Sequence, residues 1–394
     1  MAELVAPKGY PLEQHFVTTS DGYVLGVYRI PHGRERPGSV PGPPVLLQHG
    51  LLDSSATWVL NEPDESLAFI LADAGYDVWL GNSRGNAFSR NHTGLSPDSA
   101  AFWAFTMDEM ALLDVPALLE HVRRATGAAK VAYVGHSQGS ALALAALSAR
   151  GSPAARASLG PLALLAPAFF TQDVASGPLR ALAALDADAL LELMGGPEFV
   201  PGRAAVALLL ERTCDASPLV CASALAAVCG FSSVNVDERR LARYAAYAPS
   251  GTSSRDVAHW SQAVRAASPE GLRAYDWGGR CWTALGLPRS CNRRVYGQDE
   301  PPAYAPWRDE PGTFPPVALI YGEEDKLADP ADVARLAAAL PPGSRRLVRG
   351  VPTFEHLDFV WGTTAKDLVY PHVLRFLKRE YRLDATRDGL AAAA

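Results

Sequence analysis

Strand-like and helix-like segments alternate along the first part of this chain and then stop, and that break constrains the fold more than any other feature. Residues 23–30 (YVLGVYRI), 45–48, 76–80, 131–134 and 162–165 read as strands, most of them short and apolar throughout. Between them, 65–74 and 107–126 carry helical spacing, the second through Met110, Leu113, Val115, Leu118, Leu119 and Val122. Strand, helix, strand repeated in this way implies parallel strands joined by crossovers, hence a mostly parallel sheet flanked by helices. After Phe170 the chain turns Ala/Leu-rich and is broken by Gly-Pro and Pro-Gly, until 316–321 (PVALIY) resumes the buried-strand pattern. The expected organisation is an α/β core from residues 1–170 and 312–394, with 171–311 inserted as a mainly helical cap. Leu179, Leu182, Leu185, Ala189 and Leu193 share one helical face, which either packs the insertion onto the core or faces lipid or substrate. A helix over 368–383 closes the body.

Composition excludes several classes. A chain of 394 residues with 48% apolar and 20% charged residues can bury a large core, so it is neither disordered nor a coiled coil. The net charge is −6 and no Lys/Arg block forms a phosphate-tracking stripe, which argues against nucleic acid as a partner. No apolar run reaches the ~18 residues of a membrane span, and the start Met1-Ala2-Glu3-Leu4-Val5-Ala6-Pro7 lacks the pattern of a secretory leader. Cys214/Cys221 and Cys281/Cys291 are close pairs that suit disulfide clips in an oxidising compartment, with Cys229 left over; five free thiols in a cytosolic enzyme are the alternative. Asn91-His92-Thr93 fits a glycosylation acceptor. No metal, nucleotide or flavin motif is present, so no cofactor is expected.

Gly135-His136-Ser137-Gln138-Gly139 fits G-x-S-x-G between a strand and the helical run 140–149. Glycines on either side permit a sharp turn that presents the Ser137 hydroxyl at the sheet edge, which makes Ser137 the expected nucleophile. The order nucleophile, acid, base then points to Asp325, at the end of the strand 316–321, and to His356. Three further carboxylates compete with Asp325 for the role of acid. Asp329 in Asp329-Pro330-Ala331-Asp332 reads as a helix cap, Asp358 as a surface or hydrogen-bonding group, and Asp173 follows the preceding strand. His136 is excluded as base because neighbours in a tight turn point apart, and His49 is expected to stabilise its turn by hydrogen bonds. The developing oxyanion needs backbone donors, assigned to the N–H of Gln138 and, in Leu47-Gln48-His49-Gly50-Leu51-Leu52, to that of Leu51.

These segments, together with Asn82-Ser83-Arg84-Gly85-Asn86, Phe102-Trp103-Ala104-Phe105, Gly251-Thr252-Ser253, Ala274-Tyr275-Asp276-Trp277-Gly278 and His356-Leu357-Asp358-Phe359, resemble the acid lipase family of gastric and lysosomal lipases and its plant relatives. The resemblance covers nearly the whole chain. It implies an α/β-hydrolase fold with a cap and lid, and hydrolysis of triacylglycerols or sterol esters at a lipid–water interface. It also implies nucleophile Ser137, acid Asp325, base His356 and oxyanion amides of Leu51 and Gln138. A family disulfide near the lid matches the place of Cys214/Cys221, with tighter spacing here, whereas Cys281 to Cys291 lies in a stretch unlike the animal members. The resemblance further implies a secreted, lysosomal or vacuolar location, with contact to a membrane or lipid droplet and no obligate protein partner. The same machinery would serve an esterase of small soluble esters or an acyltransferase, and a receptor that binds without catalysis is the reading from another class.

Overall fold

Strands buried on both faces must lie inside a sheet covered on both sides, and the apolar runs of the first half do. In a computed structural model of the chain, residues 1–35, 38, 40–185, 194–200, 203–217, 219–223, 229–278, 281–282, 288–309 and 314–391 are described. One sheet contains β1 (Glu13–Thr18), β2 (Tyr23–Ile30), β3 (Pro44–Gln48), β4 (Asp77–Gly81), β5 (Asn91–His92), β6 (Val131–His136), β7 (Leu159–Leu165), β8 (Val317–Gly322) and β9 (Arg345–Val351). Its order is β1-β2-β4-β3-β6-β7-β8-β9, with β5 paired to β2. Neighbours from β4 to β9 run parallel, while β1, β2 and β5 form an antiparallel flank. This is the α/β-hydrolase arrangement.

The helices that matter for the site are α1 (Leu67–Asp73), α2 (Val115–Thr126), α3 (Gln138–Leu147), α4 (Arg203–Ala216), α5 (Ser254–Ala266), α6 (Pro330–Ala339) and α7 (Tyr370–Ala391). The helix expected over 107–126 is instead a short turn at Met107–Glu109, a π-type turn at Met110–Asp114, and then α2. The wider turn delivers Asp114 to Arg84, accepting from its N–H at 3.0 Å and its Nε at 2.8 Å. The terminal helix expected over 368–383 is α7, continuous from Tyr370, with a separate short turn at Ala365–Leu368 before it. Neither β1 nor β9 is evident from apolar pattern. β1 is an edge strand of mixed polarity and β9 carries Arg345, Arg346 and Arg349, as charged edges do.

Between Phe170 and Phe314, the described residues add no strand to the sheet. They form α4, α5, short helices and the two-stranded ladders Glu198–Phe199 with Thr252–Ser253 and Cys281–Trp282 with Pro288–Arg289. The two ends of this stretch meet, since the Trp307 ring lies 5.5 Å from Phe169 and stacks 6.1 Å from Phe170. Polar pins join it to the core. Asp108 accepts from the Tyr275 N–H at 3.0 Å and the Tyr304 hydroxyl at 2.7 Å, and the Ser253 hydroxyl donates to the Phe105 carbonyl at 2.6 Å. Leu182 and Leu185 pack beside Ala258 and Tyr275, whereas Ala189 and Leu193 lie outside the described residues. Disulfides join Cys214 to Cys221 and Cys281 to Cys291, and Cys229 carries a free thiol.

Candidate active site

The turn after β6 is steric in origin. Ser137 sits at φ 53°, ψ −120°, a left-handed conformation that L-residues avoid. A Cβ on Gly139 would stand 2.3 Å from the Gln48 carbonyl oxygen, and one on Gly135 would stand 2.6 Å from the Ser140 nitrogen. Only glycine fits either place. Backbone bonds then fix the turn: the Ser137 N–H donates to the Leu165 carbonyl at 3.0 Å, and the Ser140 hydroxyl to the Gly135 carbonyl at 2.8 Å.

Two loops come to meet it. The first leaves β8 and carries Asp325, buried, with Oδ1 accepting from the backbone N–H groups of Leu327 at 2.8 Å and Ala328 at 2.9 Å. The second follows β9 and carries His356. Gly322 allows the two to approach, because a Cβ there would strike the Phe354 carbonyl oxygen at 2.1 Å. His356 Nδ1 lies 2.8 Å from Asp325 Oδ2, and its Nε2 lies 2.7 Å from the Ser137 hydroxyl. Since Nδ1 donates to the carboxylate, Nε2 is the acceptor that faces the hydroxyl. Burial would raise the Asp325 pKa, but the adjacent His356 ring and the two backbone N–H donors outweigh it and hold the group below the usual carboxylate range.

The other carboxylates are elsewhere. Asp329 caps α6, accepting from the Ala331 N–H at 2.8 Å, and Asp173 pairs with Arg335. Asp358 is no surface group. It is fully buried and accepts from the Ser232 N–H at 3.0 Å, the Asn235 amide at 2.9 Å and the Glu355 N–H at 2.9 Å, which ties the His356 loop to the 171–311 stretch. Burial pushes its pKa up to about 6. The surface alternative fails because two of its partners come from a segment more than a hundred residues away.

His136 is buried and donates through Nε2 to the His356 backbone carbonyl at 2.9 Å, so it braces the base loop; burial and then the nearby His356 lower its pKa to about 3. Gly50 reaches the nucleophile turn, where a Cβ on it would lie 3.1 Å from that of Ser137. Gln138 is tied from its side chain, whose Oε1 accepts from Trp260 of α5. Behind the Gly50 turn, a cavity of about 10 Å³, room for one water centre, is lined by His49, Asp53, Gln138, Thr252 and Asp256. Nothing in the sequence marks Trp260, Asp53 or Asp256 as neighbours of the site, since each acts through a fold contact. A larger cavity of about 340 Å³, between α5 and Arg273, Asp276 and Glu300, has none of Ser137, Asp325 and His356 in its lining.

Residues 1–62 match a family described as "Partial alpha/beta-hydrolase lipase region", and 43–363 match one described as "alpha/beta hydrolase fold". The chain is 38% identical over 386 residues to gastric triacylglycerol lipase from Homo sapiens, covering 96% of this chain and 91% of that one. It is 37% identical over 388 residues to human lysosomal acid lipase/cholesteryl ester hydrolase, covering 96% and 90%. Among solved structures, an epoxide hydrolase from Vigna radiata is similar in fold, with TM-score 0.51 at 18% identity over 93% of this chain and 98% of that one.

Proposed function

We infer that this chain, which belongs to the acid lipase family on the α/β-hydrolase fold, hydrolyses carboxylic esters of neutral lipids through an acyl-enzyme on Ser137. The observation that carries the reading is the unbroken line of hydrogen bonds from Asp325 through His356 to the Ser137 hydroxyl. In the proposed cycle His356 Nε2 takes the Ser137 proton as Oγ attacks the ester carbonyl. The N–H groups of Leu51 and Gln138 receive the oxyanion. His356 then protonates the departing alcohol, and Asp325 stabilises the imidazolium in between. A water, deprotonated in turn by His356, releases the fatty acid. The relatives named for triacylglycerol and cholesteryl ester support those two ester classes as substrates.

Residues 171–311 serve in this reading as the cap over the site, and its outer surface as the lipid contact. Leu209 on α4 is 66% exposed, and Leu219 and Val220, beside the Cys214–Cys221 bridge, are 74% and 58% exposed. Large apolar side chains turned to water on this stretch fit a lipid–water interface. Two disulfides favour an oxidising compartment, of the secretory or lysosomal kind. The test is twofold. A fluorophosphonate is expected to form an adduct mapped to Ser137, and turnover is expected to rise with acyl chain length and above the solubility limit of the ester. Fast cleavage confined to short dissolved esters would favour a soluble-ester esterase, and transfer to an added alcohol in preference to water an acyltransferase.

A further inference from the structure

The block Asn82-Ser83-Arg84-Gly85-Asn86 is the most specific stretch of the sequence, yet the proposed chemistry gives it no part. Its surroundings supply one. His49, buried, stands behind the Gly50–Leu51 peptide. Its Nε2 accepts from the Ser83 backbone N–H at 3.1 Å and lies 3.0 Å from the Asn86 side-chain amide nitrogen, also a donor. A ring nitrogen met by two donors must hold its lone pair, so the ring proton is on Nδ1. That nitrogen donates to the Gly50 carbonyl at 2.8 Å, and the Asp53 N–H reaches the same oxygen at 3.3 Å.

Gly50 C=O and Leu51 N–H are two ends of one planar trans peptide and point in opposite directions. Clamping the oxygen therefore sets where the hydrogen points. Asn86 is held in its turn: its amide nitrogen donates to Asn82 Oδ1 at 2.9 Å and its oxygen accepts from the Phe88 N–H at 3.0 Å. Asn82 is fixed to the sheet through the Gly26 carbonyl at 2.8 Å and to the next loop through the Ser55 N–H at 2.9 Å. From Asn86 and Ser83 through His49 to the Gly50 carbonyl each donor lies on the far side, so each bond polarises the next toward the Leu51 N–H, while the bond from Asn86 to Asn82 only anchors the chain.

We propose that Asn86, the Ser83 amide and His49 form a directed hydrogen-bond chain that aims and strengthens the Leu51 N–H as an oxyanion donor, making them positioning residues for the transition state. This rests on the reading of Leu51 and Gln138 as the oxyanion amides. Because the donor matters most when negative charge has developed, its loss falls on kcat and spares KM.

The experiment first asks whether a fluorophosphonate labels wild-type protein at Ser137; no adduct would overturn the active-site reading itself. With the adduct established, kcat and KM on a dissolved p-nitrophenyl ester are measured for wild type, His49→Gln and His49→Asn. Asparagine sets an N–H near the position of Nδ1 and keeps the bond to Gly50, whereas glutamine reaches toward the place of Nε2 and loses it. His49→Gln is expected to lower kcat by roughly 10²–10³, the range for one oxyanion donor, with KM little changed, and His49→Asn to recover at least about tenfold of that loss. Equal losses in the two variants, or a loss carried by KM, overturn the proposal. Where a variant fails to fold, the imidazole ¹⁵N spectrum of the wild type decides: a His49 proton on Nδ1 supports the chain, and one on Nε2 overturns it.

Discussion

The nucleophile turn and the loops that come to meet it are built by opposite means. At Ser137 the chain is held by backbone: Gly135 and Gly139 remove the clashes, and the bonds that fix the turn run to backbone carbonyls, of Leu165 on the neighbouring strand and of Gly135. The Gly50 turn and the His356 loop are held by buried side chains, some of their own and some from distant segments. His49 and Asn86 brace the first, and Asp358, Asn235 and His136 brace the second. Strain stored in a turn can thus be stabilised by close backbone packing, which glycines mark in a short motif, or by side-chain networks, which no short motif marks.

The largest expected effect tests whether the local turn carries the chemistry. Ser137→Ala removes the nucleophile and leaves the bonds of the turn in place, so kcat is expected to fall by roughly 10⁵–10⁶ with thermal stability nearly unchanged. Activity at more than about a hundredth of wild type would move the nucleophile elsewhere. Gly139→Ala attacks the joint between the two constructions. Its Cβ would meet the carbonyl oxygens of Gln48 and His49 at 2.3 and 2.7 Å, and both belong to backbone that cannot swing aside. The expected loss is about 3 kcal/mol or more by denaturant unfolding, with most soluble protein lost.

This division explains how much of the site was legible. Ser137, Asp325 and His356 stand out because each follows a buried strand or sits in the motif order of the fold, and the structure brings all three within hydrogen-bonding reach. The central strands were visible for the same reason, as runs buried on both faces. By contrast β1 and β9 hide among polar edge residues, and the π-type turn at Met110–Asp114 looks like continuous helix because its apolar spacing is unbroken. Asp358 was readable as a hydrogen-bonding group but not as a buried one, since Ser232 and Asn235 reach it only after folding. Trp260 meets Gln138 across 122 positions, a separation no local pattern encodes.

A middle-sized effect is expected where the distant bracing is cut. Asp358→Ala leaves the N–H groups of Ser232 and Glu355 and the Asn235 amide without their acceptor in a buried place. Each orphaned donor is costly, so unfolding free energy should drop by about 2–4 kcal/mol. Activity should fall further than the folded fraction, because the His356 loop loses its anchor. A variant that loses stability but keeps full specific activity would show that His136 and Asp325 suffice to hold the base.

The smallest expected effect concerns pH, and it separates the two constructions by charge. Asp53, in the Gly50 turn, is pushed up to about 7 by burial, against which the Ser54 N–H bond works. A carboxyl raised above its unfolded value, ~3.9, is buried as the neutral acid. The stability it contributes is fully present below that unfolded value and is lost as pH rises through about 7. His49 in the same turn is lowered to about 4 by burial, so its contribution is present above the unfolded imidazole value and is lost as pH falls through about 4. The nearby Cys229 thiol is raised to about 11 by burial and then by Asp325 and Asp53, and stays neutral across this range. At the nucleophile turn the shifted imidazole is His136, at about 3, whose contribution is likewise complete above the unfolded imidazole value, ~6.5, and declines below it. Raising the pH from about 6.5 to about 8, where both imidazole contributions are already complete, should therefore loosen the Gly50 turn and not the Ser137 turn, lowering Tm by about a degree or two. Asp53→Asn, which cannot ionise, should flatten that slope while fluorophosphonate labelling of Ser137 keeps its own pH profile; an unchanged slope would place the alkaline weakness in another group, Asp256 first, since burial raises it to about 6 beside the same cavity.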